Sequence, residues 1–304
     1  MRLRVSRRLL LYATLMAPLT LGSPAHAADT IKVAASFSVL GDMVKQIGGE
    51  RVEVKAFVGP NGDAHVYEPT PGDAKTLADA RILVVNGLGL EGWMTRLQKS
   101  SGFKGKVVTA TTGIKTRQME EEDHGKTRKI TDPHAWQSLA NGRIYVANIR
   151  DGLAAADPAG KEAYEANAKK FLADLNVVEQ EVKDSIAKLP PARRKIITTH
   201  DAFGYFGATY GLEFIAPEGV STESEASAKE VAKIIRQIKT EKIPAVFLEN
   251  VTDHRLLDQI ARETGAKIGG TLYSDALSEP NGPAGTYLDM FRNNIQALTA
   301  ALSS

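Results

Sequence analysis

The 304-residue chain contains no cysteine. That absence excludes thiolate zinc sites, iron–sulfur clusters, cysteine nucleophiles and any disulfide framework. It also excludes a lipid anchor on an N-terminal cysteine, so an exported form is expected to be free of the membrane. Neither His-Glu-x-x-His nor Gly-x-Ser-x-Gly occurs, which removes two common hydrolase signatures. No Lys/Arg cluster is interleaved with aromatic side chains, so nucleic acid is not an expected partner. The one markedly apolar run, residues 9–21, is too short for a comfortable membrane span and has no stop-transfer pattern after it.

That run belongs to an address. Arg2, Arg4, Arg7 and Arg8 precede it, and Ala25-His26-Ala27 follows as a small-x-small cleavage pattern. Residues 1–27 therefore read as an export signal cleaved near Ala27, with the mature protein in the periplasm. Ser6-Arg7-Arg8-Leu9-Leu10 leans towards a twin-arginine variant, which leaves the export route open. The segment carries four arginines and no acid, so its removal turns a formal charge of +2 into −2.

The remainder has the length of two ordinary domains and the apolar-to-charged balance of a globular protein. Residues 28–157 alternate short β-like runs with helical patterns. Strands are expected at 31–35, 52–58, 82–85 and 107–110, and helices at 39–47 and, opened by Thr70-Pro71, to about 78. Residues 158–190 differ. Phe171, Leu175, Val178, Val182, Ile186 and Leu189 recur every three or four positions, between Asp157-Pro158 and the terminating Pro190-Pro191. Such a helix would be about 45 Å long and is expected to be a rigid strut between lobes rather than half of a coiled coil. Residues 191–304 resume the α/β rhythm, with strands at 195–199, 212–215, 245–248 and 267–272. Helices fit 227–242, 253–264 and 284–302. The expected fold class is α/β, with two similar lobes joined by one long backbone helix. Each lobe would be a small, mainly parallel sheet flanked by helices.

Histidine is sparse, at six residues, and its settings differ. His26 leaves with the signal. His65 lies past the second strand, His134 sits in the turn Asp132-Pro133-His134, and His200 directly follows a β-like run. Asp275 follows the last strand. Residues at the carboxyl ends of strands in open α/β sheets face the crevice where ligands bind. Three imidazoles and a carboxylate suit tetrahedral zinc without sulfur. No two of these residues share a local metal motif, however, and a loop histidine by itself is more often simply solvated.

The motifs around them are more specific. His65-Val66-Tyr67-Glu68-Pro69-Thr70-Pro71, Asp132-Pro133-His134-Ala135-Trp136, the run from Thr199 to Phe206, and Ser274-Asp275 occur in that order. In this the chain resembles the metal-specific (zinc/manganese) periplasmic solute-binding proteins of bacterial ABC importers, the cluster A-I type, and most closely the zinc-uptake branch. The resemblance extends from Ile31 to the C-terminus. It departs at Gln137-Ser138, where many relatives carry Leu-Asp-Pro.

The resemblance implies that His65 and His134 of the first lobe and His200 and Asp275 of the second hold one metal ion. It implies capture of Zn2+ in the interlobe cleft and delivery to a membrane permease by a monomer, with no enzymatic turnover. Manganese members typically carry a glutamate where this chain has His200, so three imidazoles favour zinc and leave Mn2+ as the alternative. A secreted zinc hydrolase is the rival from another class, but it would need an open coordination position and a nearby base. Many zinc members also carry a long histidine-rich loop, reduced here to the acidic stretch 119–126 with His124. Its two readings are a metal-collecting loop or metallochaperone docking point, and a solvated surface loop. Glu68 and Glu249 are expected to orient ligands or support the fold, and His254 to lie on the surface.

Overall fold

The computed structural model describes residues 30–123, 126–219, 222 and 227–303. The expected signal segment and His124 lie outside these.

In the first lobe, β1 (Ile31–Phe37) leads into α1 (Ser38–Gly48), followed by β2 (Val52–Val58) and α2 (Pro71–Asp79). Thr70 caps α2 in a reciprocal box with Asp73, and Pro71 takes the first turn. Then come β3 (Ile82–Val85), α3 (Met94–Ser101) and β4 (Lys106–Thr109). The strands form one parallel sheet in the order β2-β1-β3-β4. The central strand β3 is apolar and buried throughout, as expected where helices cover both faces.

Two elements here differ from the expectations. Part of the stretch expected as a loop is paired as antiparallel strands, β5 (Gln118–Asp123) and β6 (Lys126–Thr131). The run of acids hides the pairing from a pattern search, and the register sets Gln118 opposite Thr131 and Met119 opposite Ile130. An 18-residue helix, α4 (Leu139–Ala156), then crosses the lobe. Gly142 and Gly152 weaken its propensity but serve its packing. A Cβ at 142 would lie 2.9 Å from Tyr287 Oη, and one at 152 would lie 2.4 Å from Val108 Cγ2.

The long helix is present as α5 (Lys161–Ala187). Its 27 residues span about 40 Å. The periodic stripe is its buried face, with Phe171, Leu175, Val178, Val182 and Ile186 all inward. The helix packs on α1 and α4 and on α9 (Tyr287–Leu302). One core cluster runs without a break from Val33 and Leu40 through Leu175 to Phe206 and Phe291. α5 is therefore a spine embedded between the lobes, not a bare strut.

The second lobe contains β7 (Lys195–Ile197), α6 (Gly204–Tyr210), β8 (Glu213–Ile215) and α7 (Ala228–Glu241). It continues through β9 (Ala245–Glu249), α8 (Arg255–Thr264) and β10 (Lys267–Leu272) to α9. Its parallel sheet has the order β10-β9-β7-β8, which repeats the winding of the first. In each sheet the chain reverses direction beside the first strand, between β1 and β3 and between β7 and β9. β7 stops at Ile197, two residues early, because the Thr199 and His200 amides turn away from the ladder onto Glu249. Cross-lobe bonds add rigidity. Tyr287 N–H donates to Asp42 Oδ2 at 2.8 Å, and Leu277 N–H to Ser38 Oγ at 3.0 Å. Among the described residues no helix is long and apolar enough to cross a membrane.

Candidate metal centre

Four loops deliver four donors to one point. His65 lies in the segment between β2 and α2, where Asp63 Oδ1 accepts its backbone N–H at 2.8 Å and shapes the turn. His134 follows the hairpin strand β6 rather than a strand of the main sheet, so its placement depends on the turn and not on a sheet end. Asp132 makes that turn, accepting the His134 N–H at 2.9 Å. Asn86, just past β3, donates from Nδ2 to the Pro133 carbonyl at 2.9 Å and fixes the same turn from below. His200 and Asp275 each come three residues after their strands, β7 and β10.

The candidate ligand atoms of His65, His134, His200 and Asp275, one from each, all lie within 4.8 Å of one another. Asp275 Oδ2 is the hub, 3.0 Å from His65 Nε2, 3.1 Å from His200 Nε2 and 3.6 Å from His134 Nε2. His65 Nε2 approaches His134 Nε2 at 3.2 Å. Three of the four side chains are fully buried, and His65 alone keeps 6% exposure. His65 thus forms the wall nearest solvent.

The outer nitrogens are held by carboxylates. His134 Nδ1 pairs with Asp132 Oδ1 at 3.0 Å. His200 Nδ1 lies 2.7 Å from Glu249 Oε2, a close ionic contact although neither atom completes hydrogen-bond geometry. Glu249 ends β9, so the sheet's direction change sets it beside His200, while its Oε1 accepts the Thr199 and His200 amides at 2.8 and 2.9 Å. Such partners select the tautomer in which Nε2 offers its lone pair inward. Glu68 is exposed and takes no part. His254 is exposed as expected, with Nε2 3.3 Å from the Glu249 carbonyl.

Burial disfavours charge on these imidazoles, yet the carboxylates win. At His134 the Asp275 and Asp132 charges outweigh burial and raise the pKa to about 9. At His200 burial is overcome by Glu249 and then Asp275, and the pKa stands well above the usual histidine value. Burial would raise Asp275, but His134 and His200 hold it well below the carboxylate range. Asp275 Oδ1 is buried with no hydrogen-bond partner, which is a donor to spare for a metal ion.

Sequence reasoning had no signal for the supports that span the lobes. Trp136 Nε1 and Gln137 Nε2 both donate to the Ser274 carbonyl, at 2.9 and 2.6 Å. Thr222 Oγ1 donates to Asp63 Oδ2. Asp132, two residues before a histidine and followed by proline, could have been recognised from its turn-forming type.

Two parallel-sheet lobes of identical winding, with buried imidazoles and a carboxylate converging between them, define a two-lobed ligand-binding protein. The chain belongs to the family described as zinc-uptake complex component A, periplasmic, which matches residues 33–301. It is 34% identical over 275 residues to the manganese-binding lipoprotein MntA of Halalkalibacterium halodurans, covering 90% of this chain and 89% of that one. The fold matches a Mn-bound mutant of the periplasmic metal binding protein from Candidatus Liberibacter asiaticus. That match has a TM-score of 0.82 and 33% identity, over 90% of this chain and all of the other. It also matches the periplasmic zinc binding protein TroA from Treponema pallidum, with a TM-score of 0.83 and 29% identity over 90% and 99% of the chains. The chain is accordingly the metal-binding, substrate-binding component of an ABC metal importer, not an enzyme, and works with a membrane permease.

Proposed function

We propose that the protein captures one zinc ion with His65, His134, His200 and Asp275 and hands it to the permease. The observation that carries this is the convergence of three Nε2 atoms on one carboxylate, with His134 and His200 each backed by a carboxylate at Nδ1. Imidazole with one carboxylate suits zinc more than a harder ion. The ion displaces protons from the imidazoles and replaces the ionic contacts with Asp275 by bonds of its own. Because α5 and the shared core hold the lobes, loading orders the loops around His65 rather than swinging whole lobes. Some relatives are described as lipoproteins. That anchor needs a cysteine, and this sequence has none. The Arg-rich, apolar segment ending in Ala25-His26-Ala27 supports export with cleavage near Ala27.

Manganese is the second reading. The unpartnered Asp275 Oδ1 can supply a fifth donor, which suits an ion of higher coordination, and a relative is described as manganese-binding. Elemental analysis of the natively exported protein decides between them. One zinc per chain supports the first reading, and one manganese replaces it with the second. An unchanged metal content in His200→Ala would overturn the site itself.

A further inference from the structure

We infer that Arg117 is a positioning residue for the metal site, acting through Asp132 on the ligand His134. This rests on the metal-binding reading above.

Asp132 is fully buried and faces two ways. Its Oδ1 is committed to His134, taking the backbone N–H at 2.9 Å and pairing with Nδ1 at 3.0 Å. Its Oδ2 has no hydrogen-bond partner and lies 3.5 Å from the Arg117 Nε, itself buried and without one. A buried carboxylate oxygen left without a donor is costly unless a cation stands beside it. Arg117 supplies that cation.

The arginine is itself held in place. It closes the base of the β5–β6 hairpin, where its carbonyl accepts the Asp132 N–H at 3.0 Å. Its own N–H donates to Tyr205 Oη at 3.0 Å, and that hydroxyl donates on to the Asp132 carbonyl at 3.3 Å. The guanidinium carbon stands 5.7 Å from the centroid of the Tyr205 ring, within range of a cation–π contact. Tyr205 belongs to α6 in the second lobe. The space is reserved as well. A Cβ on Gly204 would come within 2.7 Å of Asp132 Oδ2 and 3.0 Å of Arg117 Nη2. Only a residue without a side chain leaves the ion pair room at the start of α6.

The physical consequence is directional. With Arg117 beside Oδ2, the Asp132 carboxylate stays turned so that Oδ1 meets His134 Nδ1, and Nε2 points at Asp275. Without it, the buried Asp132 carboxylate, which lies in electrostatic range of Asp201, has less cationic compensation, and its Oδ2 is left without a nearby cation to fix its orientation. The cost falls on the orientation of His134 rather than on the fold, since the hairpin base keeps its backbone bonds. Arg117 therefore lets the second lobe, through Tyr205, set the geometry of a ligand on the first.

The test uses the full mature chain with Zn2+ for affinity and Co2+ as a spectroscopic probe. Arg117→Gln should weaken zinc binding about 10-fold, the lower end for a residue that orients a ligand from behind. It should also change the Co2+ d–d bands. Arg117→Lys, which keeps the charge, should recover most of the affinity. In an Asp132→Asn background Arg117→Gln should cost little further, because the effect passes through that carboxylate. Gly204→Ala, which crowds the pair without removing it, should also alter the Co2+ bands, and it keeps the test alive if Arg117→Gln does not fold. Wild-type affinity and Co2+ spectra in both variants would overturn the inference, as would fully additive losses in the double mutant. Failure of the wild-type chain to bind Zn2+ or Co2+ would instead sink the metal-binding reading.

Discussion

Trp136 Nε1 donates to the Ser274 carbonyl oxygen at 2.9 Å across 138 residues of sequence. The residue two places after His134 is thereby tied to the residue just before Asp275. The segments that carry His134 and Asp275, one from each lobe, are thus tied together, so the fold itself fixes their relative placement. Preorganisation of this kind favours affinity because less ordering is left to occur on binding.

Removing that bond should loosen the site without emptying it. Trp136→Phe leaves the Ser274 carbonyl with Gln137 Nε2 alone and opens a gap beside Phe37, against which the indole packs edge-on. A loss of about 1–3 kcal/mol in unfolding free energy is expected, with a several-fold weaker metal affinity. Urea unfolding and calorimetric titration check both. An unchanged affinity would mean the bridge serves stability alone.

Glu249→Gln should be more severe for binding than for folding. The amide oxygen can still accept the Thr199 and His200 N–H groups, but its NH2 then faces His200 Nδ1. That arrangement favours the tautomer with the proton on Nε2, where the metal must bind. Affinity should fall by about 10- to 100-fold with little change in the melting temperature.

Metal and protons compete for the same nitrogens. His134 titrates near about 9 in the metal-free fold, so at pH 7 it carries a proton that the ion must displace. Affinity should therefore rise with pH from 6 to 9. Protons should be released on binding, which is measurable as a buffer-dependent binding enthalpy. A buffer-independent enthalpy at pH 7 would count against this ionisation state.

The same shift predicts how the metal-free protein responds to pH. A histidine whose folded pKa lies above its unfolded value contributes stability below about 6.5 and loses it as pH rises through about 9. Asp275 behaves oppositely, with its contribution present above the usual carboxylate value and lost as pH falls through its lowered one. The metal-free chain should thus melt at a lower temperature at pH 9.5 than at pH 6.5, and saturating zinc should abolish that difference.

The spine offers a test of lobe coupling. Leu175 is fully buried on α5, in the core shared by both lobes. Leu175→Ala should cost about 2–5 kcal/mol and leave one cooperative transition. Two separate transitions would show that the lobes fold independently.

Much of this was legible locally. The strands expected at 52–58, 82–85 and 267–272 coincide with β2, β3 and β10, because the alternation Val52-Glu53-Val54-Lys55 and the apolar run Ile82–Val85 are signals carried within a few positions. The stripe from Phe171 to Ile186 is periodic over about four turns, and α5 buries those very residues. The motifs around His65, His134, His200 and Asp275 marked the positions that the fold gathers within 4.8 Å. By contrast no helix is expected at α4 from the sequence, where Gly142 and Gly152 lower the propensity, and only the structure shows Tyr287 and Val108 pressed against them. Residue type and short-range pattern, then, marked by themselves the strands of the two main sheets and the long helix, and the motifs of the family resemblance marked the side chains that could meet a metal ion. Only the tertiary structure decided what stands behind those side chains. Glu249 reaches His200 because strand order makes β9 a neighbour of β7, and Arg117 and Ser274 reach their partners across lobes through the packing of α5 and α6. Such pairings depend on distances set by the whole core, and no local spacing encodes them.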